Sequence, residues 1–126
     1  MSVADTSALV ALQDDGDAHH AAAQEALREG PFFVTWGTLV EVAIVARRKT
    51  DGTGQHRNDA ARKAIRAVVT HPGFREAPAV PLAQVLAAQG SSSLSFVDAW
   101  NLVASSQTGE PLVTFDRDLL RAARRL

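Results

Sequence analysis

A chain of 126 residues is long enough to bury about two-thirds of its unfolded surface around one core. With 46% hydrophobic and 21% charged residues it excludes a disordered composition. The net charge of −1 excludes a polycation built for nucleic acid over its whole surface, and the lack of cysteine excludes disulfides and zinc–thiolate sites, which suits a reducing cytoplasm.

The opening stretch, MSVADTSALVALQDDGDA, has no basic leader and is interrupted by Asp5, so it reads as no signal peptide. No apolar run approaches the roughly 18 residues that cross a bilayer, and no membrane is expected as a partner. Residues 2–5 read as a brief strand; 6–14 and 17–29 read as helices, the second stopped at Gly30-Pro31. FFVTW (32–36) is β-branched and aromatic, hence a strand. TLVEVAIVARRK (38–49) follows as a helix whose Arg47, Arg48 and Lys49 suit the negative end of its dipole. TDGTGQH (50–56) is a loop of turn formers, and 57–71 is a basic amphipathic helix stopped by Pro72-Gly73.

A weak strand is expected around 75–79. Pro81 opens a helix over 82–89 that Gly90 ends; SSSL is loop, and Ser95 to about Thr108 is helix. PLVTF (111–115) is the last strand, and 116–126 a closing helix. Strands separated by helices imply parallel pairing with helices on both faces, and a functional crevice beyond the carboxyl ends of the strands. The whole of 1–126 is expected to form a single domain.

Four acids abut apolar runs: Asp5 in VADTSALVAL, Glu41 in LVEVAIVA, Asp98 in SFVDAWNLVA and Asp116 at the end of LVTFD. Each has a purely structural explanation. Ser95-x-x-Asp98 and Thr38-x-x-Glu41 fit a capping box, and Asp5 and Asp116 are placed as N-caps. Taken together, however, four carboxylates on one rim would repel one another. No Lys or Arg occurs in 1–27, 30–46 or 76–116, so only Arg117 lies near any of them in sequence. A divalent cation is the simpler counter-charge, and an all-oxygen donor set favours Mg²⁺ or Mn²⁺. Ser7 and Thr114 stand beside Asp5 and Asp116, either to orient a carboxylate or to make ordinary turn bonds. The four histidines make no rival ligand set.

VADTSAL, the glutamate within TLVEVAIVARR, SLSFVDAWNLVAS and PLVTFDRDL together resemble the PIN domain, specifically the VapC-type toxins of prokaryotic toxin–antitoxin pairs. The resemblance spans essentially the whole chain. It implies a small three-layer α/β/α sandwich with a central parallel sheet of four or five strands, and Mg²⁺- or Mn²⁺-dependent endoribonuclease activity. It also implies a homodimer, and a cognate antitoxin whose C-terminal segment covers the active site. The family's acidic quartet falls on Asp5, Glu41, Asp98 and Asp116, and its polar positions on Ser7 and Thr114. Trp100-Asn101 departs from the pattern, since many relatives carry apolar or small residues there.

Contact with RNA needs local positive surface. One basic stretch runs from Arg47, Arg48 and Lys49 through Arg57, Arg62, Lys63 and Arg66; Arg117 opens another on the last helix. The apolar faces of 6–14 and 17–29 either bury against the sheet or form a groove for the antitoxin. Two other functions share these features: a non-catalytic RNA- or partner-binding module of the same fold, and a metal-dependent DNA nuclease or phosphatase. The DTS motif lacks the second aspartate of an aspartyl-phosphate pair.

Overall fold

The computed structural model describes residues 1–28, 30–90 and 92–125. The expected places of Glu29 in the second helix, Ser91 in a loop and Leu126 in the last helix lie outside them. Four short strands, β1 (Ser2–Ala4), β2 (Phe32–Val34), β3 (Phe74–Glu76) and β4 (Leu112–Val113), make one parallel sheet in the order β3-β2-β1-β4. Between and after them run α1 (Thr6–Gln13), α2 (His20–Arg28), α3 (Trp36–Arg48), α4 (Gly54–Val69), α5 (Leu82–Gly90), α6 (Phe96–Thr108) and α7 (Arg117–Ala123). The element order is the one the sequence predicts: an α/β fold with a central parallel sheet flanked by helices.

The strands are apolar because a parallel sheet is covered on both faces. Val3, Ala4, Phe32 and Val34 are all buried. The largest cluster packs Leu9 of α1, Leu27 of α2, Val42 of α3 and Val68 of α4 with Phe32 and Val34. Two smaller clusters surround α6, one with Val85 of α5 and one with Leu119 of α7. Leu9, Leu27 and the half-buried Leu12 thus join the core, which is the first of the two roles open to the apolar faces of α1 and α2. Gly109, at φ 70°, ends α6 in the left-handed conformation that glycine adopts freely, leading the chain directly into β4.

Boundaries shift where local polar groups compete with periodicity. The expected strand 32–36 stops at Val34, because Thr35 caps α3 by accepting from the Thr38 amide, and Trp36 is already helical. This overturns the expected capping box of Thr38 with Glu41: Thr38 lies within the helix and is fully buried. Thr53 caps α4, so that helix takes in Gly54, Gln55 and His56 from the expected loop. Asp14 and Asp17 bind the amides of Gly16 and His19, which turns the chain before α2 and delays its start to His20. The third strand is 74–76 rather than 75–79.

The chain builds outward from β1 to β2 and β3, then returns to place β4 on the other side of β1. Strand order therefore reverses between β1 and β4. A crevice opens beyond the carboxyl ends of strands at such a point. Asp5 follows β1 directly, and Thr114 to Asp116 follow β4.

Candidate active site

Asp5 is only 3% exposed. As the N-cap of α1, its Oδ1 accepts from the Ala8 amide at 2.9 Å and from Ser7 Oγ at 2.7 Å, while Oδ2 accepts from Thr114 Oγ1. The same two hydroxyls reach the β4–α7 connection. Ser7 Oγ accepts from the Phe115 amide at 2.9 Å, and Thr114 Oγ1 accepts from the Asp116 amide at 3.0 Å. Ser7 and Thr114 therefore orient the Asp5 carboxylate and lock the strand ends that carry Asp5 and Asp116. Asp116 is the N-cap of α7, its Oδ1 accepting from the amides of Asp118 and Leu119.

The other two acids come from helices. Glu41, on α3, accepts at Oε1 from Thr6 Oγ1 at 2.6 Å. Asp98 lies in the first turn of α6, which Ser95 caps. Asn101 joins these two helices: buried completely, its Oδ1 accepts from Thr35 Oγ1 at 2.8 Å and Thr38 Oγ1 at 3.1 Å, and its Nδ2 donates back to Thr38 Oγ1 at 2.9 Å. At the same junction Gly37 admits Trp100, whose Cε3 is 2.8 Å from where a Cβ would stand. The departure from the family pattern at Trp100-Asn101 thus forms the α3–α6 contact rather than part of the cleft.

All four predicted acids line one cleft of about 580 Å³. Burial pushes the Asp5 carboxyl above the ordinary aspartate range; hydrogen bonds from Thr114, Ala8 and Ser7 hold it back, and the Asp116 charge pushes it up again. Asp98 is also raised, chiefly by burial; Ser95 offsets part of this, and Asp116, Glu41 and Asp5 each add to it. The acids therefore feel one another. Among the described residues, none of the four takes part in an ion pair. No three acid or histidine side chains among those residues form a finished metal-binding group. The carboxylates face a common space without closing on one point, and two of them, Asp5 and Asp116, also cap their own helix N-termini.

Of the four basic candidates, Lys49 lines the cleft, with Nζ 3.7 Å from Asp14 Oδ2. Arg47 instead bonds Asn58 and borders an apolar groove of about 480 Å³ between α3 and α4. Arg48 and Arg117 are exposed. The cleft also gathers Thr6, Asp17 and His19, which sequence reasoning did not select. Thr6 had a signal, its position directly after Asp5. His19 had none, because only the turn at 14–19 brings it over the site.

The PIN domain family model matches residues 2–125. The chain belongs to the PIN-domain family. Two solved structures share this PIN fold. VapC20 of Mycobacterium tuberculosis, described as a sarcin–ricin loop cleaving toxin, is 23% identical with a TM-score of 0.74, covering 97% of this chain and 95% of that one. PAE2754 of Pyrobaculum aerophilum is 24% identical with a TM-score of 0.72, covering 98% and 84%. No curated protein sequence matches the chain. Among the described residues, no helix of this PIN domain is long and apolar enough to cross a membrane.

Proposed function

We propose that the protein is an endoribonuclease of the VapC type, dependent on Mg²⁺ or Mn²⁺, with Asp5, Glu41, Asp98 and Asp116 as its metal-binding and catalytic acids. The observation that carries this reading is the meeting of all four carboxylates in one cleft at the switch point of the sheet, where each of the other three raises the pKa of Asp98. Membership of the PIN family and the likeness to a toxin structure support it.

The donor set fits a hard divalent cation, being oxygen only and rich in carboxylate. Asp5 has about four acceptor sites, and three are taken by Ser7, Ala8 and Thr114, which leaves one for a cation. Glu41 keeps Oε2 free of the Thr6 bond. When bound, the cation supplies charge neutralisation at a phosphoryl oxygen and lowers the pKa of a water that can attack phosphorus. The chain's own contribution is to hold its acids at fixed positions. Ser7 and Thr114 fix Asp5, Thr6 orients Glu41, and Ser95 fixes the start of the helix that carries Asp98. Lys49 supplies a positive charge at the edge of the cleft, where an RNA phosphate would otherwise meet only acids.

The same reading makes the protein one half of a toxin–antitoxin pair. It acts as a homodimer in the cytoplasm, and the C-terminal segment of its antitoxin covers the cleft. Incubation with RNA, DNA and small phosphoesters in Mg²⁺ or Mn²⁺ tests the chemistry. RNA cleavage that EDTA abolishes and that Asp98→Asn removes is the expected result. Cleavage unaffected by Asp98→Asn, or RNA binding without turnover under any metal, would overturn it, the latter in favour of a binding module.

A further inference from the structure

We infer that the His19 ring, stacked on Phe115 at the mouth of the acidic cleft, is a platform for an unpaired nucleobase beside the phosphate being cut. This inference rests on the ribonuclease reading of the same cleft. The two rings lie 4.5 Å apart between centroids and only 5° from parallel. Phe115 is half-buried and packs against the main core, so the lower ring of the stack is fixed. His19 is exposed and lines the cleft together with the acids, so the stack on Phe115 covers one face of its ring and leaves the other for a ligand.

The segment that carries His19 is held in place before any ligand arrives. The Gly16 amide donates to Asp14 Oδ1 at 2.9 Å, the Asp17 amide to the Asp14 carbonyl at 3.0 Å, and the His19 amide to Asp17 Oδ1 at 2.8 Å. The neighbouring His20 ring is tied to the Ala11 carbonyl at 2.7 Å. Lys49, paired with Asp14 of this same turn, is the one basic side chain among those lining the cleft in the described residues. A flat ring and a cation, both joined to the 14–19 turn, thus line the same cleft as the four carboxylates, in the combination that takes a base and its phosphate.

Stacking uses the π-face that every base has, so it selects for a base free of its helix rather than for its identity. A paired base must first leave its neighbours. The subsite therefore favours single-stranded segments and loops.

The test is affinity for a labelled single-stranded RNA and for a fully paired RNA of the same composition, measured in Ca²⁺ to limit turnover. His19→Ala is expected to weaken single-strand binding by roughly tenfold, the scale of one lost base stack, and to leave duplex binding unchanged. His19→Phe keeps a ring on Phe115 and is expected to restore affinity. In Mn²⁺, the KM for single-stranded RNA should rise with His19→Ala while kcat is held. Wild-type affinity in His19→Ala, or a His19→Phe protein as weak as His19→Ala, overturns the platform while leaving the nuclease intact. His19-dependent binding without cleavage by the wild-type protein would instead remove the nuclease and keep the platform. A wild-type protein that neither binds nor cleaves single-stranded RNA removes both.

Discussion

Helix α3 separates two regions of opposite character. Glu41, Val45 and Lys49 recur every four residues along the side that lines the acidic cleft. Trp36, Val40 and Ile44 recur at the same interval along the side that lines the apolar groove shared with Val69 of α4, where they are 61%, 55% and 40% exposed. The cleft places charges where burial penalises them and surrounds them with oriented hydroxyls and amides. The groove leaves apolar side chains uncovered, with one indole hydrogen bond, from Trp36 to Glu76, at its edge. Burial of charge and exposure of apolar surface both lower stability. They differ in what holds them in place. The cleft is tied by a network of side-chain hydrogen bonds that joins α1 to α3 and to the β4–α7 connection. The groove is set mainly by the apolar packing of α3 on α4, beside the bonds of Trp36 and Arg47 at its edge.

If that network serves chemistry, the largest effect belongs to its centre. Asp5→Asn keeps the volume and can still accept from Ala8 and Ser7, but it loses the charge. RNA cleavage in Mn²⁺ should fall by about a hundredfold or more, the scale of losing an electrostatic group at a transition state. Thermal stability of the metal-free protein should be kept or improved, since burial already disfavours the charge on Asp5. Paired single-turnover and thermal-unfolding measurements check both. A variant that loses stability and cleavage together would make Asp5 a structural cap.

Next comes the joint between the two helices that carry Glu41 and Asp98. A Cβ at Gly37 would stand 2.8 Å from Trp100 Cε3 and 3.2 Å from Val97 Cγ2. Gly37→Ala should therefore cost about 1–3 kcal/mol as overpacking, read as a lower denaturation midpoint. Asn101→Leu, which removes the amide partner of the buried hydroxyls of Thr35 and Thr38, should cost a similar amount, about 1–3 kcal/mol. Val40→Ser on the groove side of the same helix provides the contrast.

These contrasts also mark what sequence could reveal. The element order was legible because hydrophobic period and Gly/Pro stops agreed along most of the chain. The four acids were legible because each interrupts an apolar run, and Ser7 and Thr114 because they neighbour two of them. Thr38 was misplaced: its spacing to Glu41 mimics a capping box, and only the Thr35 hydroxyl bonded to the Thr38 amide shows where the helix starts. Asn101 stood out only as a departure from the family pattern, and its role was not legible, because a buried amide is explained by partners 66 and 63 residues away. The groove was hidden for a related reason, since TLVEVAIVA is apolar on more than one face and the pattern alone does not say which face stays uncovered.

A smaller, graded effect follows from pH. The folded-state pKa values of Asp5 and Asp98 lie above their unfolded values. The folded protein therefore binds more protons than the unfolded chain once pH exceeds about 4, and stability from these groups falls as pH rises through the raised values. Exposed Asp59 works the other way, lowered by its hydrogen bonds from Arg62 and Gln55, so the difference between wild type and Asp98→Asn isolates the effect. In EDTA, the wild-type thermal midpoint should decline relative to that of Asp98→Asn between pH 4 and 7. Mg²⁺ should recover the loss at pH 7 and do little at pH 4. Equal Mg²⁺ stabilisation at both pH values would show that the cation binds elsewhere than among these carboxylates.

The smallest change is expected on the far side of α3. Val40 is more than half exposed and belongs to no core cluster. Val40→Ser removes two methyl groups that water already reaches and adds a hydroxyl that water can satisfy, so folding stability should shift by no more than about 0.5 kcal/mol. RNA cleavage should be unchanged, since Glu41 lines the cleft rather than the groove and keeps its bond from Thr6. A large loss of stability would mean that the groove is covered in solution and that Val40 is buried there. A loss that shrinks on dilution would identify the cover as a second copy of the chain, because mass action then strips the cover from the wild type as well as from the variant.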